Sequence, residues 1–125
     1  MGSFKKYNTV RDFEEAIIEI PVIYPGIGDT GEIIKIRSRY SREFREASAK
    51  AERQISTMMV ANKGEMPSED VLQEIENAQF TALIAEWSFD EDLTAENVAE
   101  FMKANPQIRD EINRKAAQDS LFLNK

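Results

Sequence analysis

The sequence predicts an α+β fold, mostly helical, with an N-terminal β-hairpin followed by about four helices. Three observations predict it. Apolar, largely β-branched residues alternate with period two over parts of 12–24 and 32–37. Apolar residues then recur at three- and four-residue steps through 38–62 and 68–87. Helix-start chemistry punctuates the rest, with Ser68, Thr94 and Asn105 each standing before a helical pattern.

In the first strand Ile18, Ile20 and Val22 share one face, and Ile17, Glu19 and Ile23 the other. Pro21 has no N–H to give a ladder, which marks this strand as an edge or a bulged one. Residues 25–31, PGIGDTG, read as a loop in which glycines take positive φ. The loop lacks the Gly-Lys-Ser/Thr ending of a phosphate loop. The second strand, 32–37, sets Ile34 and Ile36 on one face and Ile33 and Lys35 on the other. Two strands alone are marginal, so a helix must cover them.

A long helix over 38–62 lines up Tyr40, Phe44, Ala47, Ala51, Ile55 and Met58 or Met59. Glu46 and Lys50 stand four apart, in the favourable order for an ion pair. Gly64 is expected just past the helix end, and Ser68 caps the next helix with Glu69 and Asp70 in its first turn. That central helix is expected to run over 68–87. Val71, Ile75, Ala78 and Ala82 fall on one side; Phe80, Leu83, Ile84 and Trp87 fall on nearly the opposite side. A helix with two apolar stripes is sandwiched or used at an interface, which predicts a homo-oligomer. After an acidic break at 88–92, Thr94 opens a short helix through Val98, Phe101 and Met102. Asn105-Pro106 then starts the last helix, with Ile108, Ile112 and Ala116 on one side. Leu121, Phe122 and Leu123 either pack back as a strap or stay free for a partner.

The 125 residues suit one domain spanning 1–125, of which the polar stretch 1–12 is expected to be loosely held. Hydrophobic residues make up 42%, enough for a core, yet no run approaches the length of a membrane span. The first ten residues carry charge but no following apolar segment, so no signal peptide is expected. Cysteine and histidine are both absent, which removes thiolate chemistry, the usual zinc ligands and the commonest general base. The formal charge of −7 is unevenly spread. Through Lys63 there are 11 Lys and Arg against 9 Asp and Glu; from Gly64 onward, 5 against 14. An acidic chain is repelled by phosphate backbones, so nucleic acid is a poor default partner. The alternative function is a small helical nucleic-acid-binding regulator using the basic face Arg37, Arg39, Arg42 and Arg45.

Asp90 and Asp92 have a D-x-D spacing that suits a hard cation, but position twelve of a calcium loop beginning at Asp90 is Phe101, not Glu. No metal, cofactor or catalytic residue is therefore assigned. Trp87 with Phe89, Phe101 and Met102 forms either a core cluster or a binding surface.

Trp87 followed by acidic residues, then Leu93, Thr94, Glu96, Asn97, Val98, Phe101, Pro106, Ile108 and Ile112, resembles the tail assembly chaperones of long-tailed bacteriophages. The resemblance covers about the last third of the chain. It implies a non-catalytic protein that binds the tape measure protein and keeps it soluble while the tail tube assembles. It also implies contact with the tail tube protein through a longer frameshift product, action in the host cytoplasm and absence from the mature virion. The expected partner-binding residues are Phe80, Leu83, Ile84, Trp87, Leu121 and Phe122.

Overall fold

The computed structural model describes residues 2–123. Its elements are α1 (Thr9–Glu14), β1 (Ile17–Tyr24), β2 (Gly28–Arg37), α2 (Arg42–Ala61), α3 (Glu69–Thr81), β3 (Ile84–Trp87), α4 (Ala95–Ala104), α5 (Pro106–Ala116) and α6 (Ser120–Leu123). The fold is α+β and mostly helical, with the β-hairpin at the N-terminal end, as the periodicity predicts. Part of the stretch expected to be loose, 1–12, is helical: a 3-10 turn covers Phe4–Lys6, and α1 is capped by Asn8, whose side chain accepts from Arg11 N at 3.1 Å.

The three strands form one antiparallel sheet in the order β1-β2-β3. β1 is an edge strand, and its register with β2 shifts between Pro21 and Ile23, where the missing proline N–H interrupts the ladder. The loop is shorter than expected, because pairing resumes at Tyr24 and Gly28. Ile27 N–H closes a turn onto Tyr24 O at 3.0 Å, with Pro25 and Gly26 at its centre. Gly26 has φ +86, the conformation the third residue of a Pro-Gly type II turn requires.

Ile20, Val22, Ile34, Ile36 and Ile84 turn one sheet face into the core, where Leu83, Val98, Met102, Ile108, Ile112, Ala116 and Phe122 meet them. Helices α5 and α6 lie against β2 and β1. The opposite face carries a charged row beside Ile17 and Ile33: Lys35 on the central strand stands 3.9 Å from Glu19 and 3.5 Å from Glu86, on its two neighbours. The strap reading of the C-terminal end holds, since α6 packs on α1 and β1 and Phe122 is buried.

The third strand corrects the expectation of one helix over 68–87. Ser68 caps α3 as expected, but α3 ends at Thr81 and the chain turns into β3. The reason is tertiary. Ile84 pairs with Ile36, and Arg37 N–H donates to Leu83 O at 2.6 Å. The Arg37 guanidinium donates from Nη1 to Ala82 O at 3.1 Å and to Ile84 O at 3.0 Å. These partners satisfy carbonyls at the helix end that would otherwise be orphaned. Pairing with the sheet overrides a local sequence that contains no breaker.

Two further local readings are corrected. Lys63, not Gly64, is the first residue past the Asn62 cap of α2 and takes φ 57; Gly64 follows at φ 90. Gly64 N–H then reaches Met59 O at 2.7 Å and Lys63 N–H reaches Val60 O at 3.4 Å, the paired bonds of a Schellman end. Asn105 makes no side-chain cap on α5; its Nδ2 donates back to Phe101 O at 3.0 Å and closes α4.

Helices α2 and α3 form an antiparallel hairpin. Their far halves lie outside the hydrophobic cluster of the body, with Ala51 the single buried residue of α2 and Val60 and Met66 exposed at the tip. The antiparallel connection at 64–67 is the one the break between the two helical patterns predicts; that the tip of this two-helix arm stands outside the core is not readable from the periodicity.

Candidate functional site

The stretch that carries the family resemblance folds as one unit around Trp87. Trp87, Phe89 and Phe101 form a triangle of rings, with centroids 5.3, 6.2 and 4.8 Å apart and tilted or edge-on contacts. Trp87 Nε1 donates to Glu91 O at 2.9 Å, so the acidic turn wraps the indole. Thr94 caps α4 by accepting from Asn97 N at 3.1 Å, and Asn97 Nδ2 donates to Asp92 O at 2.8 Å. Val98 and Met102 then enter the core beneath the rings. Ser88 links this turn to β2: its Oγ accepts from Ile33 N at 2.9 Å and donates to Glu32 Oε2. The rings are half-buried and pack against the core margin, which favours the core-cluster reading of this group.

The six residues expected to form a partner surface do not share an exposed face. Phe80, Leu83 and Ile84 are core, with Leu83 and Ile84 each 2% exposed. The expectation fails because residues 82–87 leave the helix. The second stripe belongs to the helix end and the strand, and the sheet, α4 and α5 absorb it. Phe80 also lies under the Arg109 guanidinium, 5.0 Å from its ring centre, while Arg109 bonds Glu76 at 2.9 Å. Phe122 is buried by the strap, Trp87 is half-buried, and Leu121 alone of the six is exposed, at 37%. With the two-stripe helix gone, the argument for self-association from those stripes goes with it.

The basic face is committed within the chain. Arg37 is tied to the α3–β3 junction and lies 3.7 Å from Glu43. Arg42 meets Glu46 at 4.0 Å, displacing the pairing of Glu46 with Lys50 expected from spacing. Arg45 bonds Glu14 at 3.2 Å and Tyr40 O at 3.0 Å. Arg39 stacks on Tyr40 at 4.8 Å. A phosphate backbone would have to compete with these partners, so the geometry does not favour the nucleic-acid reading.

Exposed apolar groups gather elsewhere, at the tip of the β1–β2 hairpin. Ile23 and Tyr24 are about half exposed, and Ile27 is 72% exposed. Beside them runs a groove of about 520 Å³ between the hairpin and α5. Its floor is Ile23, Pro25 and Ile108; its rim is Gln107, Asp110, Glu111 and Arg114. The sequence holds a signal for this surface that periodicity does not read: an isoleucine in a Pro-Gly turn, where neither strand face can cover it. Among the described residues no group of carboxylates gathers to hold a metal ion, and no helix is long and apolar enough to cross a membrane. Comparison with protein-family models, with curated proteins and with solved structures returns no match.

Proposed function

We propose that this chain is a non-catalytic tail assembly chaperone of a long-tailed bacteriophage, which holds an amphipathic helix of the tape measure protein and keeps it soluble in the host cytoplasm. It leaves before the virion matures, and a longer frameshift product carries the contact with the tail tube protein. The observation that carries this reading is the groove beside the hairpin tip. Its apolar floor and charged rim have the pattern that accepts one apolar stripe of a helix. The tip residues Tyr24 and Ile27 extend the apolar area without being needed by the core. The resemblance of residues 87–112 to the chaperone family supports the same reading.

The surface proposed for the client is thus moved from the Phe80, Leu83 and Ile84 stripe to Ile23, Tyr24, Ile27 and the α5 rim. Each isoleucine anchor buried by a client contributes about 1.5–3 kcal/mol, whereas exposed rim pairs contribute about 0–1 kcal/mol. The test is co-expression with the tape measure protein of the same tail gene cluster, scored by solubility and co-purification. The wild-type chain is expected to keep the client soluble, and the pair Ile23→Asp with Ile27→Asp to lose it while retaining a native circular dichroism spectrum. A wild-type chain that leaves the client insoluble overturns the function. Folded groove variants that still solubilise it overturn the site.

A further inference from the structure

We infer that the groove beside the hairpin tip selects a helix that lies antiparallel to α5 and carries, beside its apolar stripe, an acidic residue one turn ahead of a basic one. The inference rests on the proposed client site and specifies the chemistry of what fills it. It begins from the way α5 faces the groove. Gln107, Asp110, Glu111 and Arg114 line it, at three- and four-residue spacings that keep them on one stripe of the helix. Ile108 lies below them as floor, together with Ile23 and Pro25 from the hairpin.

Two of the rim charges are unspent. Glu111 is bonded to Lys115 at 3.0 Å. Asp110 and Arg114 stand four residues apart, in the order that favours an ion pair along a helix, yet among the described residues neither takes part in one. Both are exposed. The stripe therefore offers a carboxylate and, one turn or about 6 Å further along, a guanidinium. A helix seated on the apolar floor has to answer them in place, with a cation beside Asp110 and an anion beside Arg114. Two of its own residues four apart have the same rise and meet both.

The order of these charges fixes the direction. On a helix antiparallel to α5 the anion comes first in the sequence and the cation four residues later. Negative charge then lies toward that helix's N-terminus and positive charge toward its C-terminus, as its own dipole favours. The same order is the favourable one for an i,i+4 pair, which supports the helix before it docks. A parallel helix would have to carry the cation first, against both effects. Antiparallel packing also sets the dipole of the incoming helix against that of α5, so their opposite ends adjoin.

The experiment uses two designed helical peptides of equal composition and the same leucine stripe. The flanking pair reads Glu-x-x-x-Lys in one and Lys-x-x-x-Glu in the other. Binding to the full chain is read by fluorescence anisotropy of the labelled peptides, with circular dichroism to confirm the fold of each variant. The wild-type chain is expected to bind the Glu-first peptide at least about fivefold more tightly, since two exposed contacts change sign and each is worth up to about fivefold. Asp110→Lys with Arg114→Glu exchanges the rim charges and is expected to invert the preference, which a difference in peptide helicity alone cannot do. Ile23→Asp with Ile27→Asp is expected to lose both peptides. Equal binding of the two peptides by the wild-type chain, or a preference that the exchanged rim leaves unchanged, overturns the inference and leaves the groove as the proposed site. A wild-type chain that binds neither peptide, or a folded Ile23→Asp, Ile27→Asp chain that binds as wild type does, overturns the groove reading and the inference with it.

Discussion

Replacing Arg37 by Ala removes the side chain that fastens the end of α3 to the sheet. In the native chain Nη1 donates to Ala82 O and Ile84 O at 3.1 and 3.0 Å, and Nε stands 3.7 Å from Glu43 Oε2. That carboxylate oxygen is buried and has no hydrogen-bond partner, so the guanidinium is its main compensation. Hydrogen bonds to a charged group contribute roughly 1.5–3 kcal/mol each. The Arg37 side chain is 25% exposed, which places both bonds near the low end. The expected loss is about 2–3 kcal/mol. With a urea slope of roughly 1–3 kcal/mol/M, the midpoint falls by about 1–2 M. Lys is not expected to rescue it, because an ammonium on a flexible stem does not reproduce the planar fork that reaches two carbonyls and a carboxylate. Arg42→Ala is the control: its pair with Glu46 is 4.0 Å long and exposed, and the expected change is within about 0.5 kcal/mol. If Arg37→Ala and Arg42→Ala shift the midpoint equally, Arg37 is a surface cation and the staple reasoning is wrong.

Lys63→Gly is expected to raise stability by about 0.5–1 kcal/mol, because Lys63 holds φ 57 and glycine takes that conformation without Cβ strain; a lower urea midpoint would contradict it. Thr94→Ala is expected to cost about 1 kcal/mol by removing the cap on Asn97 N, again read from the urea midpoint. Ile84→Asp places a carboxylate at a site 2% exposed and is expected to cost more than about 4 kcal/mol, whereas Leu121→Asp, at 37% exposure, changes stability by about 1 kcal/mol or less. Circular dichroism showing Ile84→Asp as stable as wild type would mean that β3 is not docked.

What was legible in the sequence was short-range. The faces of β1, the edge position implied by Pro21, the caps at Ser68 and Thr94 and the buried row Ile108, Ile112 and Ala116 all follow from neighbours within a few residues. Residues 82–87 did not follow, because Ala-Leu-Ile-Ala-Glu-Trp fits a helix as well as a strand. The deciding bond, Arg37 Nη1 to Ile84 O, spans 47 residues. The candidate site inherited that error: Leu83 and Ile84 look surplus on a helix and are core once the strand forms. Asn105 was misread for a related reason. A single side chain sat between two helix ends, and its bond to Phe101 O went to the first.

Moving those apolar groups into the core separates what holds the chain together from what associates with it. The body is held by the sheet with α4, α5 and α6, where Ile34, Ile36 and Ile112 are fully buried. The hairpin tip and the arm contribute little to it, since Ile27 and Val60 are exposed and α2 buries only Ala51. Substitutions at Ile23 or Ile27 are therefore expected to act on the proposed client contact with little cost to stability, and those at Ile84 or Ile112 on stability before any binding can be measured. A loss of client in the first pair can be read as a lost contact. The same loss in the second pair cannot, because the unfolded fraction changes first.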